Sequence, residues 1–71
     1  MVDIIIHNKI HEYRTCAGLT QEALAETVGV TRQTVISIEK GNYTPSVSLA
    51  LRFAKLFAVS VEDIFSLHYE K

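Results

Sequence analysis

Residues 21–40 read QEALAETVGVTRQTVISIEK, and the apolar positions in this stretch decide the fold. Leu24 and Val28 stand one helical turn apart, and Val35 and Ile38 repeat the pattern beyond a break at Gly29, so two short amphipathic helices are expected. Ala25 falls where the helices should cross, and a methyl group suits a close crossing. Gly29 supplies the turn, because a positive φ costs glycine little. Val30 then returns to the core, and Thr31 offers its hydroxyl to the unpaired N–H groups that open the second helix. Two helices set at a corner in this way form a helix-turn-helix unit.

The flanks extend an all-helical pattern. Toward the N-terminus, Val2, Ile4 and Ile6 alternate with Asp3, Ile5 and His7, predicting a short strand over about 2–7, with a helix starting at Asp3 as the rival. Asn8 is a suitable N-cap for a first helix from Lys9 to Ala17, with Ile10, Tyr13 and Ala17 on its inner stripe and Gly18 ending it. Leu19 returns to the core and Thr20 caps the helix that begins the 20–40 motif. After it, Gly41 to Pro45 form a loop, and Pro45 or Ser46 opens a fourth helix. Its expected inner face is Leu49, Phe53, Leu56 and Phe57, with Ala50 and Ala54 allowing close approach and Arg52 and Lys55 facing out. Ser60 to Asp63 match a capping box for a short fifth helix that turns Val61, Ile64 and Phe65 inward. Residues 65–70 alternate again and predict a second strand, which antiparallel pairing would join to the first.

Bulk properties narrow the classes. With 71 residues, 48% of them hydrophobic and no tryptophan, the chain suits one small domain with an aliphatic core, near the size at which a single core is marginal. No apolar run approaches the ~20 residues of a membrane helix and no secretory signal is evident, so a cytoplasmic protein is expected. The single cysteine, Cys16, has no internal partner for a disulfide. The formal charge is −1, and residues 9–40 balance Lys9, Arg14, Arg32 and Lys40 against Glu12, Glu22, Glu26 and Glu39. A basic face must therefore come from arrangement, not excess.

The order of five helices, with Leu19-Thr20-Gln21 before the second, Gly29 at the turn, Ile38-Glu39-Lys40-Gly41 closing the third and Pro45-Ser46 opening the fourth, resembles the Cro/C1 (XRE) helix-turn-helix regulators. The resemblance covers about residues 8–65 and is to the compact members that are little more than a DNA-binding domain. It implies an all-α, five-helix lambda-repressor-like fold with short terminal strands, and a dimeric regulator, most simply a repressor, on a near-palindromic operator in double-stranded DNA. It also implies that Arg32, Gln33, Thr34 and Ser37 read base edges: Gln33 matches the N6/N7 edge of adenine, and Arg32 fits guanine O6/N7 or a phosphate. Thr20, Gln21, Lys40, Asn42, Tyr43 and Thr44 would contact phosphates, with Gln21 also bracing the reading helix. Arg14 and Glu39 match a structural ion pair that sets how the reading helix is presented. Ile36 departs from the family pattern as an isoleucine expected on an exposed flank, suited to a thymine methyl or a partner chain.

Other chemistries find little support in the residues. His7, His11, His68 and Cys16 lack zinc-site spacing, so no metal is expected. No cofactor is expected either, since there is no Gly-rich phosphate loop. Serines fall at caps or on helix faces without a base and an orienting acid, so enzymatic function is not expected. The competing expectation is a protein-interaction adaptor on the same fold, such as an antitoxin, favoured by the near-neutral charge and Ile36. The dimer is expected to be held by the terminal strands and last helices, with helix contact through Phe57, Val61 or Ile64 as the alternative.

Overall fold

The computed structural model describes residues 3–70. Strand β1 (Asp3–Asn8) is followed by helices α1 (Ile10–Cys16), α2 (Gln21–Val28), α3 (Arg32–Glu39), α4 (Val47–Phe57) and α5 (Val61–Ile64), and by strand β2 (Phe65–Glu70). The rival helix at Asp3 does not form, and Val2 lies outside the described residues.

Side-chain caps account for most of the helix starts. Thr20, Thr31 and Ser46 each adopt an extended backbone and accept a hydrogen bond from the N–H three residues on. Ser60 and Asp63 complete a reciprocal capping box, which starts a four-residue helix that has little else to nucleate it. Hydrogen bonds from the Ser60 backbone and side chain hold the Asp63 carboxyl below its ordinary range. At the first helix the expectation was one residue off. Asn8 belongs to β1, Lys9 occupies the N-cap without a side-chain cap, and Asn8 Oδ1 accepts from Ile10 N at 3.1 Å. Its Nδ2 simultaneously donates to Ile38 O at 2.9 Å, so Asn8 ties the end of β1 to the starts of α1 and the end of α3.

The core gathers Ile10, Leu24, Val35, Ile38, Phe53 and Ile64, all fully buried, around the α2–α3 corner. Ala25 is buried at this corner, and Gly29 closes α2 at φ 81 with its N–H on Ala25 O. Leu19, Val30, Phe57, Val61 and Phe65 pack against the core half-buried, with the Phe57 and Tyr13 rings stacked 5.5 Å apart. Two inner positions differ from expectation. Ala17 is exposed because α1 ends one residue earlier, and Leu56 is on the border of α4 that the core does not reach. Arg52 is exposed along much of its length but donates Nη1 to Val28 O at 3.1 Å, completing a carbonyl at the end of α2.

β1 and β2 pair antiparallel, Asp3 opposite Glu70 and Asn8 opposite Phe65. The expected pairing is present, but its apolar face does not lie on the helices. Ile6 sits opposite Leu67, and both stay exposed together with Tyr69, because only the base of the ribbon at Asn8 and Phe65 reaches the core. On the ribbon the His7 and His68 rings stack at 3.8 Å. Among the described residues no helix is long and apolar enough to cross a membrane.

Asn8→Ala removes both the Ile10 and the Ile38 bonds and should lower stability by about 1–3 kcal/mol. Urea unfolding of the two proteins measures it, and a change within about 0.5 kcal/mol, the level of an ordinary surface substitution, would show that the clamp contributes nothing.

Candidate nucleic-acid interface

Helix α3 is presented by a network centred on one carboxylate. Glu39, in its last turn, has a side chain only 8% exposed and faces Arg14 from α1, itself 12% exposed. Arg14 donates Nε to Glu39 Oε2 at 2.6 Å and Nη2 to Oε1 at 3.2 Å, a forked pairing that fixes direction as well as distance. Its Nη1 donates to Leu19 O at 2.9 Å, in the connection before α2. Gln21, the first residue of α2, donates Nε2 to Glu39 Oε1 at 3.2 Å. Three helices are thereby referred to one side chain. Burial alone would raise the Glu39 carboxyl, but the hydrogen bonds from Arg14 and Gln21, the Arg14 charge and the contact with His11 outweigh it and hold it below its ordinary value.

Two open concavities flank the exposed side of the two-helix corner. One is lined by Thr31, Gln33, Thr34, Ser37, Asn42 and Tyr43, so the loop after α3 contributes to the same surface as the helix. Gln33 is fully solvent-facing there and has no hydrogen bond to the protein among the described residues. Thr34 is less free, since its hydroxyl lies 2.9 Å from that of its cap, Thr31. The other concavity is lined by Arg14, Thr20, Gln21, Glu22 and Arg32. Arg32 therefore sits with the start of α2, separated from the surface that Gln33 shares with Ser37. Here the start of α2 meets the Arg32 guanidinium, while Arg14 in the same concavity is already held by Glu39 and Leu19 O and the Glu22 carboxylate stands alongside.

The remaining expected contacts are more scattered. Lys40 faces the ribbon side, in a concavity with Ile5, His7, Asn8 and Glu39, while Thr44 is exposed in the loop. Ile36 is half-buried, not exposed. One participant escapes the sequence reading: His11, weighed there only against His7 as a metal ligand, places Nδ1 3.1 Å from Arg14 Nη2 and 3.4 Å from Glu39 Oε1. Its spacing of three from Arg14 on one helix face was the available signal.

The helix-turn-helix family model matches residues 10–64, which takes in all five helices. The chain belongs to the helix-turn-helix family of transcriptional regulators. It is 56% identical over 63 residues to the uncharacterized HTH-type transcriptional regulator YgzD of Bacillus subtilis, covering 89% of this chain and 96% of that one. It is 57% identical over 58 residues to the regulator MJ0272 of Methanocaldococcus jannaschii, covering 82% and 88%. Among solved structures, the restriction-modification controller protein C.AhdI of Aeromonas hydrophila superposes with a TM-score of 0.70 at 31% identity, over 76% of this chain and 82% of that one.

Arg14→Ala and Glu39→Gln should each destabilise by about 3–5 kcal/mol, because each strands a partly desolvated group, and the double variant should cost less than the sum. Additive losses would mean that the two side chains do not interact. Because the folded carboxyl lies below its unfolded value, its contribution is present above pH 4.5 and is lost as pH falls through the folded value. Melting across this acid range should show a steeper loss in the parent than in Glu39→Gln.

Proposed function

We propose that the chain is a sequence-specific repressor that binds a near-palindromic operator in double-stranded DNA as a homodimer in the cytoplasm. The observation that carries this is the shared surface of α3 and its following loop, where exposed Gln33, Asn42 and Tyr43 stand with half-buried Thr34 and Ser37 while Val35 and Ile38 on the apolar side of the same helix are fully buried. A helix that presents amide, hydroxyl and phenol groups along one concave face supplies the donors and acceptors that major-groove base edges require. Gln33 and Ser37 read bases in this account, and Thr34 assists from its cap-bound position. Arg32, with Thr20 and Gln21, holds a phosphate at the start of α2, while Asn42, Tyr43 and Thr44 follow the backbone. Lys40 reaches a phosphate from the end of α3. Occupying the operator would repress by excluding polymerase.

Two unpartnered apolar faces bear on how copies join. The ribbon exposes Leu67 (56%) and Tyr69 (64%) beside Ile6, and the outer side of α4 exposes Val47 (77%) and Leu51 (56%) one turn apart. Ile64, an expected contact, is buried in the core and is not available. The α4 face is preferred, because α4 follows α3 after one loop and its outer side exposes two large aliphatic residues one turn apart. The adaptor reading draws on the same apolar faces and the net charge of −1.

Selection of bound sites from a random duplex pool at low salt tests the central proposal, with no enriched sequence favouring the adaptor. On an enriched site, Gln33→Ala should cost about 1–3 kcal/mol and relax preference at one position of each half-site. Equal losses on the preferred and the single-base-changed duplex would exclude base reading by Gln33. For assembly, Leu51→Glu should yield a folded monomer by sedimentation, while Leu67→Glu leaves the dimer intact. The reverse pattern would transfer the interface to the ribbon.

A further inference from the structure

We propose that His11 is a proton-sensitive positioning residue for Gln21. The inference rests on the DNA-binding reading for its functional weight, while its geometry stands apart from it. His11 Nδ1 lies between two groups with opposite demands. Arg14 Nη2, at 3.1 Å, can only donate, and ionised Glu39 Oε1, at 3.4 Å, can only accept. A neutral ring protonated on Nε2 turns its Nδ1 lone pair to Arg14 and leaves Oε1 to Arg14 and Gln21. An imidazolium carries a proton on Nδ1, cannot accept from Arg14, and donates to Oε1 instead.

That oxygen already receives Arg14 Nη2 and Gln21 Nε2, each at 3.2 Å. A third donor, this one charged, competes with both for the lone pairs of Oε1, and the donor without a second anchor gives way. Arg14 keeps two other anchors, Nε on Glu39 Oε2 at 2.6 Å and Nη1 on Leu19 O at 2.9 Å. Gln21 has no other side-chain hydrogen bond among the described residues, so it is the group released. The proton comes directly from solvent, to which the His11 side chain is 61% exposed. Other charges stand further out: His7 and Lys40 share a concavity with Glu39 on the ribbon side, and Glu22 and Arg32 share one with Arg14 and Gln21. Released, the Gln21 amide is no longer aimed by the reading helix, and the phosphate site at the start of α2 loses its fixed register to α3.

Side-chain proton–nitrogen NMR of the full chain, titrated across the range of about pH 5 to 8 in which imidazoles change charge, tests this without knowledge of the operator. The Gln21 amide pair, assigned by its loss in Gln21→Ala, should move toward the shifts of an unbonded glutamine with the midpoint of the His11 ring, while the Arg14 Nε–H signal persists. In His11→Gln, which can accept and donate at the same place without titrating, the Gln21 pair should stay at its high-pH position throughout. A static Gln21 pair while the His11 ring titrates would overturn the proposal, as would the same movement in His11→Gln. Simultaneous loss of the Arg14 signal would also overturn it, since the whole ion pair would then be opening. An intact coupling in a chain that selects no DNA site would support the His11 assignment and remove only the DNA reading.

Discussion

A carboxylate kept almost out of water in a chain this small must be fully partnered, and Glu39 meets that demand by drawing on three helices at once. The requirement runs outward from there. Arg14 can satisfy it only if α1 lies across the end of α3, and Gln21 only if the start of α2 is turned toward the same point. The apolar core alone would tolerate small rotations of α3 about its axis, since Val35 and Ile38 would still find aliphatic neighbours. A forked, charged hydrogen bond tolerates much less, so orientation of the helix that bears Gln33 and Ser37 is specified by the polar network and its depth by the core.

The elements that were legible in the sequence are those governed by local rules. Thr20, Thr31, Ser46 and Ser60 start helices because each supplies a hydroxyl to an otherwise unpaired N–H, and that chemistry is visible in the residues themselves. Leu24, Val28, Val35 and Ile38 were legible through their spacing. The corner at Gly29 and the partnership of the two chain ends followed from the same reasoning, the first from backbone freedom and the second from two matching period-two patterns.

What was not legible depended on tertiary surroundings. Asn8 looks like a cap from its neighbours, yet the strand extends through it and its two side-chain bonds are divided between α1 and α3. Leu56 has the right spacing for an inner residue, but the core ends before it reaches that border of α4. The ribbon's apolar alternation correctly signalled strands and misjudged their cover, because pattern reports which residues share a face and not whether anything lies against it. In the candidate site, the grouping of Arg32 with the start of α2 and of Tyr43 with the outer face of α3 could not be read from order along the chain.

The ribbon joins the two most distant parts of the described chain, and this sets an order of events during folding. The helices meet through contacts closer in sequence, whereas β1 has no partner until residues 65–70 are brought back to it. Until then the three consecutive isoleucines at positions 4–6 form an unpaired edge rich in β-branched side chains, the kind of segment that pairs readily with a copy of itself. Assembly of the helices, which anchors Asn8 to α3 and brings the end of α5 beside it through the Lys9 N–H on Ile64 O, shortens that exposure by delivering β2 to the waiting strand.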